Sequence, residues 1–63
     1  MDARLMKHIL AVVTLDPGVV AGGVPVFVAQ TEQEREEVAF LLGRILEAMV
    51  HDLGNGAYVL VRH

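Results

Sequence analysis

The chain has 63 residues, no cysteine and a formal net charge of −3. This length suffices for one domain, predicted over residues 1–63, and excludes a second. A chain without cysteine forms no disulfide, which is typical of reducing compartments and predicts a cytoplasmic protein. The five basic residues are not clustered, so the sequence predicts no nucleic-acid partner.

Apolar residues make up 54% of the chain, more than so small a domain can bury. A spanning helix needs roughly 20 apolar residues in a row, and the sequence has no such run, so no membrane partner is predicted. The excess apolar surface instead favours contact with another protein, either a second copy or a different chain. A secretory signal over the first 20 residues is a weaker interpretation, because its removal would leave about 40 residues, too few to fold alone.

The first two predicted elements are strands. Residues 5–15 are apolar on both alternating faces, which is typical of a central strand covered on both sides. Asp16-Pro17-Gly18 favours a tight turn, and residues 19–29 then predict a returning strand that pairs with the first as a hairpin. Because Pro25 cannot donate a backbone hydrogen bond, this second strand belongs at a sheet edge.

The third element is a helix. Thr31, with Glu34 three residues later, predicts a capping box at its start. Apolar residues then follow at helical spacing over four turns, at Val38, Leu41, Leu42, Ile45, Leu46, Met49, Val50 and Leu53. Gly54 suits the left-handed position after a helix, so we predict a helix over residues 32–53. Residues 57–63 predict a final strand.

These elements predict an α+β fold, a two-layer ββαβ domain with a three-stranded mixed sheet packed on one helix. A right-handed crossover through the helix would make the third strand parallel to the second. With the second strand at an edge and the first in the centre, the predicted strand order is 2-1-3. The helix covers one face, and nothing else in the sequence covers the other, which favours a homo-oligomer.

Phe40 departs from the apolar stripe of the predicted helix. At about 100° per residue it points to the opposite side, which is otherwise polar. A large aromatic side chain beside a helical glycine is typical of a contact between subunits, so the predicted interface residues are Phe40, Gly43 and Glu47. The alternative interpretation is a single exposed aromatic residue, which needs no functional explanation.

Side chains suited to catalysis or metal binding are scarce. The predicted strand order would bring His8 close to His63, with Arg4 and Arg62 nearby, and two imidazoles can bind a metal or transfer protons. Their spacing matches no recognised ligand pattern, so the sequence predicts no metal, no cofactor and no catalytic residue.

Three functional hypotheses follow, in decreasing order of support. The first is a self-associating interaction or structural module, whose task is assembly with a second copy or the adapting of another protein. The second is a small-ligand-binding or regulatory domain with its site at the subunit seam, near the bend at Gly22-Gly23. The third is a minimal enzyme whose site is assembled across chains from His8, His63, Arg4 or Arg62. The first ranks highest because polar side chains for the other two are few.

Overall fold

The computed structural model describes residues 8–62. In chain order its elements are β1 (Ile9–Thr14), β2 (Val26–Val28), α1 (Glu32–Leu46), β3 (Met49–Asp52) and β4 (Ala57–Val61). The strands form a mixed sheet of order β2-β1-β4-β3, and α1 packs against one face of it. The predicted α+β class is therefore confirmed, with a sheet of four strands rather than three.

The predicted hairpin between the first two strands is wrong, because β1 and β2 run parallel. Two turns separate them instead of one. In the first, the Val19 N–H donates to the Asp16 carbonyl, and in the second the Val24 N–H donates to the Ala21 carbonyl. The first turn reverses the chain and the second reverses it again, so that β2 follows the direction of β1.

The second strand is also shorter than predicted, with three residues in place of 19–29. It lies at the edge of the sheet, as Pro25 indicates. The last strand lies beside β1 and antiparallel to it, as predicted, but it is also antiparallel to β2. The predicted parallel orientation is wrong because an unforeseen strand, β3, turns the chain round once more between α1 and β4.

The helix ends at Leu46 and not at residue 53. Glu47 adopts a left-handed conformation with φ 52° and ψ 48°. The Ala48 N–H then donates to the Gly43 carbonyl at 2.9 Å, which closes a Schellman-type helix end. Gly54, predicted to occupy this position, has φ 80° in the turn between β3 and β4. Glutamate is an unusual residue for a left-handed helix end. The residue types therefore do not predict that the helix ends at Leu46.

The core lies between α1 and the two central strands. Its buried residues come from β1, β4 and the helix: Ala11, Val13, Ala39, Tyr58 and Leu60. Val38, Leu42 and Leu46 pack against them from α1. A Cβ atom on Gly43 would lie 3.1 Å from the Ala48 carbonyl oxygen, so the glycine allows the helix to approach β3 closely.

The sheet face opposite the helix is apolar, but its central residues are not exposed to solvent. Val12, Thr14 and Ala57 alternate with the residues that face the helix, and all three are at most 6% exposed. The prediction that nothing covers this face is therefore wrong at its centre. At its margins, Val28 on β2 and Met49 on β3 are 43% and 59% exposed. Across residues 8–62, no helix has both the length and the apolar character needed to span a bilayer.

Candidate protein-interaction surface

The start of α1 is fixed by local hydrogen bonds. The Thr31 hydroxyl accepts from the Glu34 N–H at 3.0 Å, so the predicted N-cap is confirmed. The Glu34 carboxylate accepts from the Gln30 N–H at 3.2 Å, one residue before the position that a regular capping box uses. Both bonds close the end of the helix that lies next to β2.

A polar cluster ties the first two turns of α1 to β4. The Arg35 guanidinium lies 4.3 Å from the centre of the Tyr58 ring, and its Nη1 donates to the Gly56 carbonyl at 2.8 Å. The Tyr58 hydroxyl donates to the Glu36 carboxylate. This hydrogen bond is the main reason that the pKa of Tyr58 is raised above the usual 10.0, which further favours the protonated phenol. The cluster therefore holds the helix in place and presents a neutral phenol, not a charged nucleophile.

The other end of α1 is held by Arg62, whose Nη2 donates to the Leu46 carbonyl at 2.6 Å. A cation at a helix C-terminus also interacts favourably with the helix dipole. The Arg62 N–H donates to the His8 carbonyl at 3.0 Å, so these two residues are neighbours, as the strand order predicts. Arg4 and His63, the other members of the hypothetical catalytic group, lie outside the described residues.

Two further sequence hypotheses concern a metal and a small ligand. In the described part of the chain, no three His, Asp or Glu side chains gather in a way that could hold a metal ion. Gly22 and Gly23 are exposed, and a Cβ atom on either would meet nothing within 4 Å. The bend at these glycines is therefore open to solvent within one chain, and a seam there would require a second subunit.

Exposed large apolar side chains are concentrated in one part of the chain. Of the nine within residues 8–62, six belong to the second half of α1 and to β3 with the residue after it. Met49 points to the sheet face opposite the helix, because it alternates with Val50, which pairs with the core residue Leu60. We call the other five the helix–strand surface: Phe40, Leu41, Ile45, Val50 and Leu53. Such a concentration in a small protein is typical of a site where another molecule binds.

The helical part of this surface has two flanks. Ala39 is buried against the sheet, and at about 100° per residue Gly43 and Phe40 lie about 40° and 100° from it, on the side of β3. Leu41 and Ile45 lie about 160° and 120° from Ala39 in the other direction. Phe40 and the Leu41–Ile45 pair can therefore contact two different molecules.

The three predicted interface residues share the flank next to β3. Phe40 is 62% exposed, and the Arg44 guanidinium lies 5.8 Å from the centre of its ring. Gly43 is half-buried, where a Cβ atom would approach side chains of Val50 and Leu60, so its role lies in helix packing. Glu47 is exposed at the left-handed helix end. Their participation in an interface stays a prediction.

Sequence reasoning missed two features of this region. Leu41 and Ile45 were expected in the buried stripe, whereas they are 56% and 73% exposed. The cluster of Arg35, Glu36 and Tyr58 joins residues about two dozen positions apart, and no local pattern signals such a pair. The lone tyrosine of the chain was the one available hint, because a buried phenol needs a hydrogen-bond partner.

Comparison with known proteins places the chain in a family. The family model YIEGIA_cap, described as "Capping complex subunit for YIEGIA", matches residues 6–63. The uncharacterized protein YpzH of Bacillus subtilis (strain 168) is 40% identical over 63 residues, which cover 100% of this chain and 98% of that protein. No solved structure matches the chain. This chain therefore belongs to the family of capping complex subunits for YIEGIA.

Proposed function

We propose that this chain is a self-associating interaction module that binds YIEGIA as a subunit of a capping complex. The family description supports a role in a complex. The observation that carries the proposal is the helix–strand surface, where large apolar side chains remain exposed outside the packed core. Cytoplasmic location, predicted from the absence of cysteine, belongs to the same proposal.

The Leu41–Ile45 flank is the part of this surface that suits a different protein. These two side chains are spaced by four residues, so they form one apolar row along the helix. An amphipathic helix commonly binds an apolar groove through anchors at this spacing. Full burial of each side chain would contribute about 1.5–3 kcal/mol, enough for two anchors to matter to affinity.

The polar side chains of the domain support the same interpretation. Arg35, Glu36 and Tyr58 bond to one another or to the Gly56 backbone, and Arg62 bonds to the end of the helix. Asp16 and Asp52 each accept a hydrogen bond from a backbone N–H two residues later. These contacts stabilise turns and the helix position, which is the rigid framework that an interaction surface requires.

The test is a titration of purified chain into purified YIEGIA, followed by isothermal calorimetry. We expect Ile45→Glu to weaken binding at least about tenfold, because a carboxylate in an apolar interface loses its hydration. Val20→Glu is the matched control, since Val20 is 89% exposed in the loop before β2 and receives the same charge. A wild-type chain that does not bind YIEGIA, or an Ile45→Glu variant that binds normally, would contradict the proposal.

A further inference from the structure

We infer that a second copy of this chain covers the Phe40 flank, with the two α1 helices antiparallel and the two-fold axis beside Phe40. This dimer would be the self-association named in the proposed function, and the inference rests on that proposal. It is drawn from a separate observation, the arrangement of charges around Phe40. The Phe40 flank is defined here by Glu36, Phe40 and Arg44.

The three residues are spaced by four positions, so they follow one ridge of the helix. Each step of four residues advances about 6 Å along the axis. Glu36 and Arg44 therefore lie at equal distances on either side of Phe40. A two-fold axis beside Phe40 and perpendicular to the helix places Arg44 of one copy level with Glu36 of the other. Because the operation is symmetric, it forms two opposite-charge pairs around a centre of two phenylalanine rings.

A parallel arrangement of the same two ridges would have the opposite result. Arg44 would then face Arg44 of the second copy, and Glu36 would face Glu36. Like charges in an interface disfavour association, so the pattern selects the antiparallel pair over the parallel one. Ridges built from residues four apart also form the commonest class of helix packing in globular proteins.

Both charged side chains are already positioned within one chain. The Glu36 carboxylate is held by the Tyr58 hydroxyl, and it retains acceptor capacity for a guanidinium because a carboxylate has about four acceptor sites. The Arg44 guanidinium lies against the Phe40 ring. Side chains held in this way lose less conformational freedom on binding, which favours association. Glu36, Phe40 and Arg44 are all exposed and accessible to a second copy.

The first experiment measures the mass of the isolated chain by sedimentation equilibrium. The wild type should show twice its monomer mass of 6.9 kDa at micromolar concentration. Arg44→Glu should raise the dissociation constant at least about tenfold, because both symmetric pairs become repulsive. Phe40→Glu should have a similar effect without removing the contact between Glu36 and Tyr58, and Val20→Glu is its matched control.

The second experiment mixes two variants with opposite charges. Arg44→Glu alone carries two acids on the ridge, and Glu36→Arg alone carries two bases, so each should be monomeric. In an equimolar mixture, both cross-chain pairs become opposite in sign, and a heterodimer should form. Circular dichroism checks that each variant is folded. If Glu36→Arg does not fold, the result with Arg44→Glu and Phe40→Glu decides.

A wild-type chain that is monomeric at these concentrations would overturn the inference. So would an Arg44→Glu variant that dimerises like the wild type, or two folded variants that stay monomeric when mixed. The calorimetric titration with YIEGIA is read separately. A dimeric wild type that does not bind YIEGIA would contradict the complex role and leave the antiparallel pair standing, whereas a monomeric chain that binds YIEGIA would do the reverse.

Discussion

The two halves of α1 rest on the same sheet, but they are held and exposed differently. The first half is polar on its outer side, and Arg35 and Glu36 bind it to Tyr58 and the Gly56 backbone. The second half leaves Phe40, Leu41 and Ile45 largely in water. Leu42 and Leu46, from the same half, pack against the core instead.

The two halves of α1 use their side chains differently, one for stability and the other for binding. The first half secures the helix within the chain, through directional hydrogen bonds that fix its position. The second half packs with only part of its apolar residues and leaves the rest for other molecules. In a domain of this size, stability and binding would otherwise compete for the same apolar residues. Four predictions can test or refine this comparison.

The largest effect is expected beneath the second half of the helix. Leu60 is 0% exposed, and its Cδ2 lies 3.9 Å from the Cβ position of Gly43. Leu60→Ala should lower the free energy of unfolding by about 2–5 kcal/mol, through lost apolar burial and the cavity that remains. Urea unfolding measures this, with the 56% exposed Leu53→Ala as the control. A loss below about 1 kcal/mol would show that Leu60 is not part of a well-packed core.

The second prediction concerns the hydrogen bonds that hold the first half of α1 against β4. Arg35→Met removes the hydrogen bond to Gly56 and the guanidinium over the Tyr58 ring, while it keeps much of the side-chain volume. We expect a loss of about 1–3 kcal/mol, moderated because Arg35 Nε is buried without a partner in the wild type.

Arg44→Met is the control for this change. Its guanidinium also lies near an aromatic ring, but that ring belongs to Phe40 of the same helix, and Arg44 is exposed. Its replacement should change the free energy of unfolding by less than about 1 kcal/mol when measured on the monomer. If Arg35→Met and Arg44→Met lowered the free energy of unfolding equally, the first half of α1 would not be held more firmly than the second.

The third prediction concerns pH and the contact between Tyr58 and Glu36. The folded-state pKa of Tyr58 is raised above the usual 10.0, mainly by this hydrogen bond. The contact therefore contributes its full stability below pH 10.0 and loses it as the pH rises through the folded-state pKa. Near-ultraviolet absorbance reports the titration without ambiguity, because Tyr58 is the one tyrosine in the chain.

Glu36→Gln is the matched variant for this titration. Glutamine keeps the size of the side chain but lacks the carboxylate, so the pKa of Tyr58 should fall towards the ordinary value. The stability of the variant should then depend less on pH in the alkaline range. A wild-type titration at the ordinary pKa would show that the phenol does not bond to Glu36 in solution.

The smallest effect on folding is expected on the Leu41–Ile45 flank. Leu41→Gln and Ile45→Gln should each change the free energy of unfolding of the monomer by no more than about 0.5 kcal/mol, because both side chains remain largely in water. Chemical denaturation of the chain without its partner measures this. A loss of 2 kcal/mol or more, on the scale of a buried leucine, would mean that this flank belongs to the chain's own core.

Local chemistry made the start of the helix and the fold class predictable. The Thr31 cap and the apolar spacing that follows depend on neighbours within a few residues, so the sequence pattern displays them directly. Pro25 placed its strand at an edge for a similarly local reason. The end of the helix could not be predicted in this way, because Glu47 adopts a conformation that its residue type disfavours.

The candidate surface was predicted in part. Phe40 was identified because it departs from the apolar stripe, and the structure leaves it exposed. Leu41 and Ile45 fit that stripe, so the pattern alone placed them in the core. A helix of 15 residues that packs on a narrow sheet can bury a limited arc, and the width of that arc depends on the sheet and not on the helix sequence.

Residue order alone predicts an α+β domain with a capped amphipathic helix and more apolar surface than it can bury. The tertiary structure decided the parallel pairing of β1 with β2, the extra strand β3 and the side of the helix that remains in water. Helix caps and helical spacing involve residues close together in the chain, so the local sequence predicts them. Strand direction and exposure depend instead on where distant segments meet, as β4 does when Tyr58 reaches Glu36.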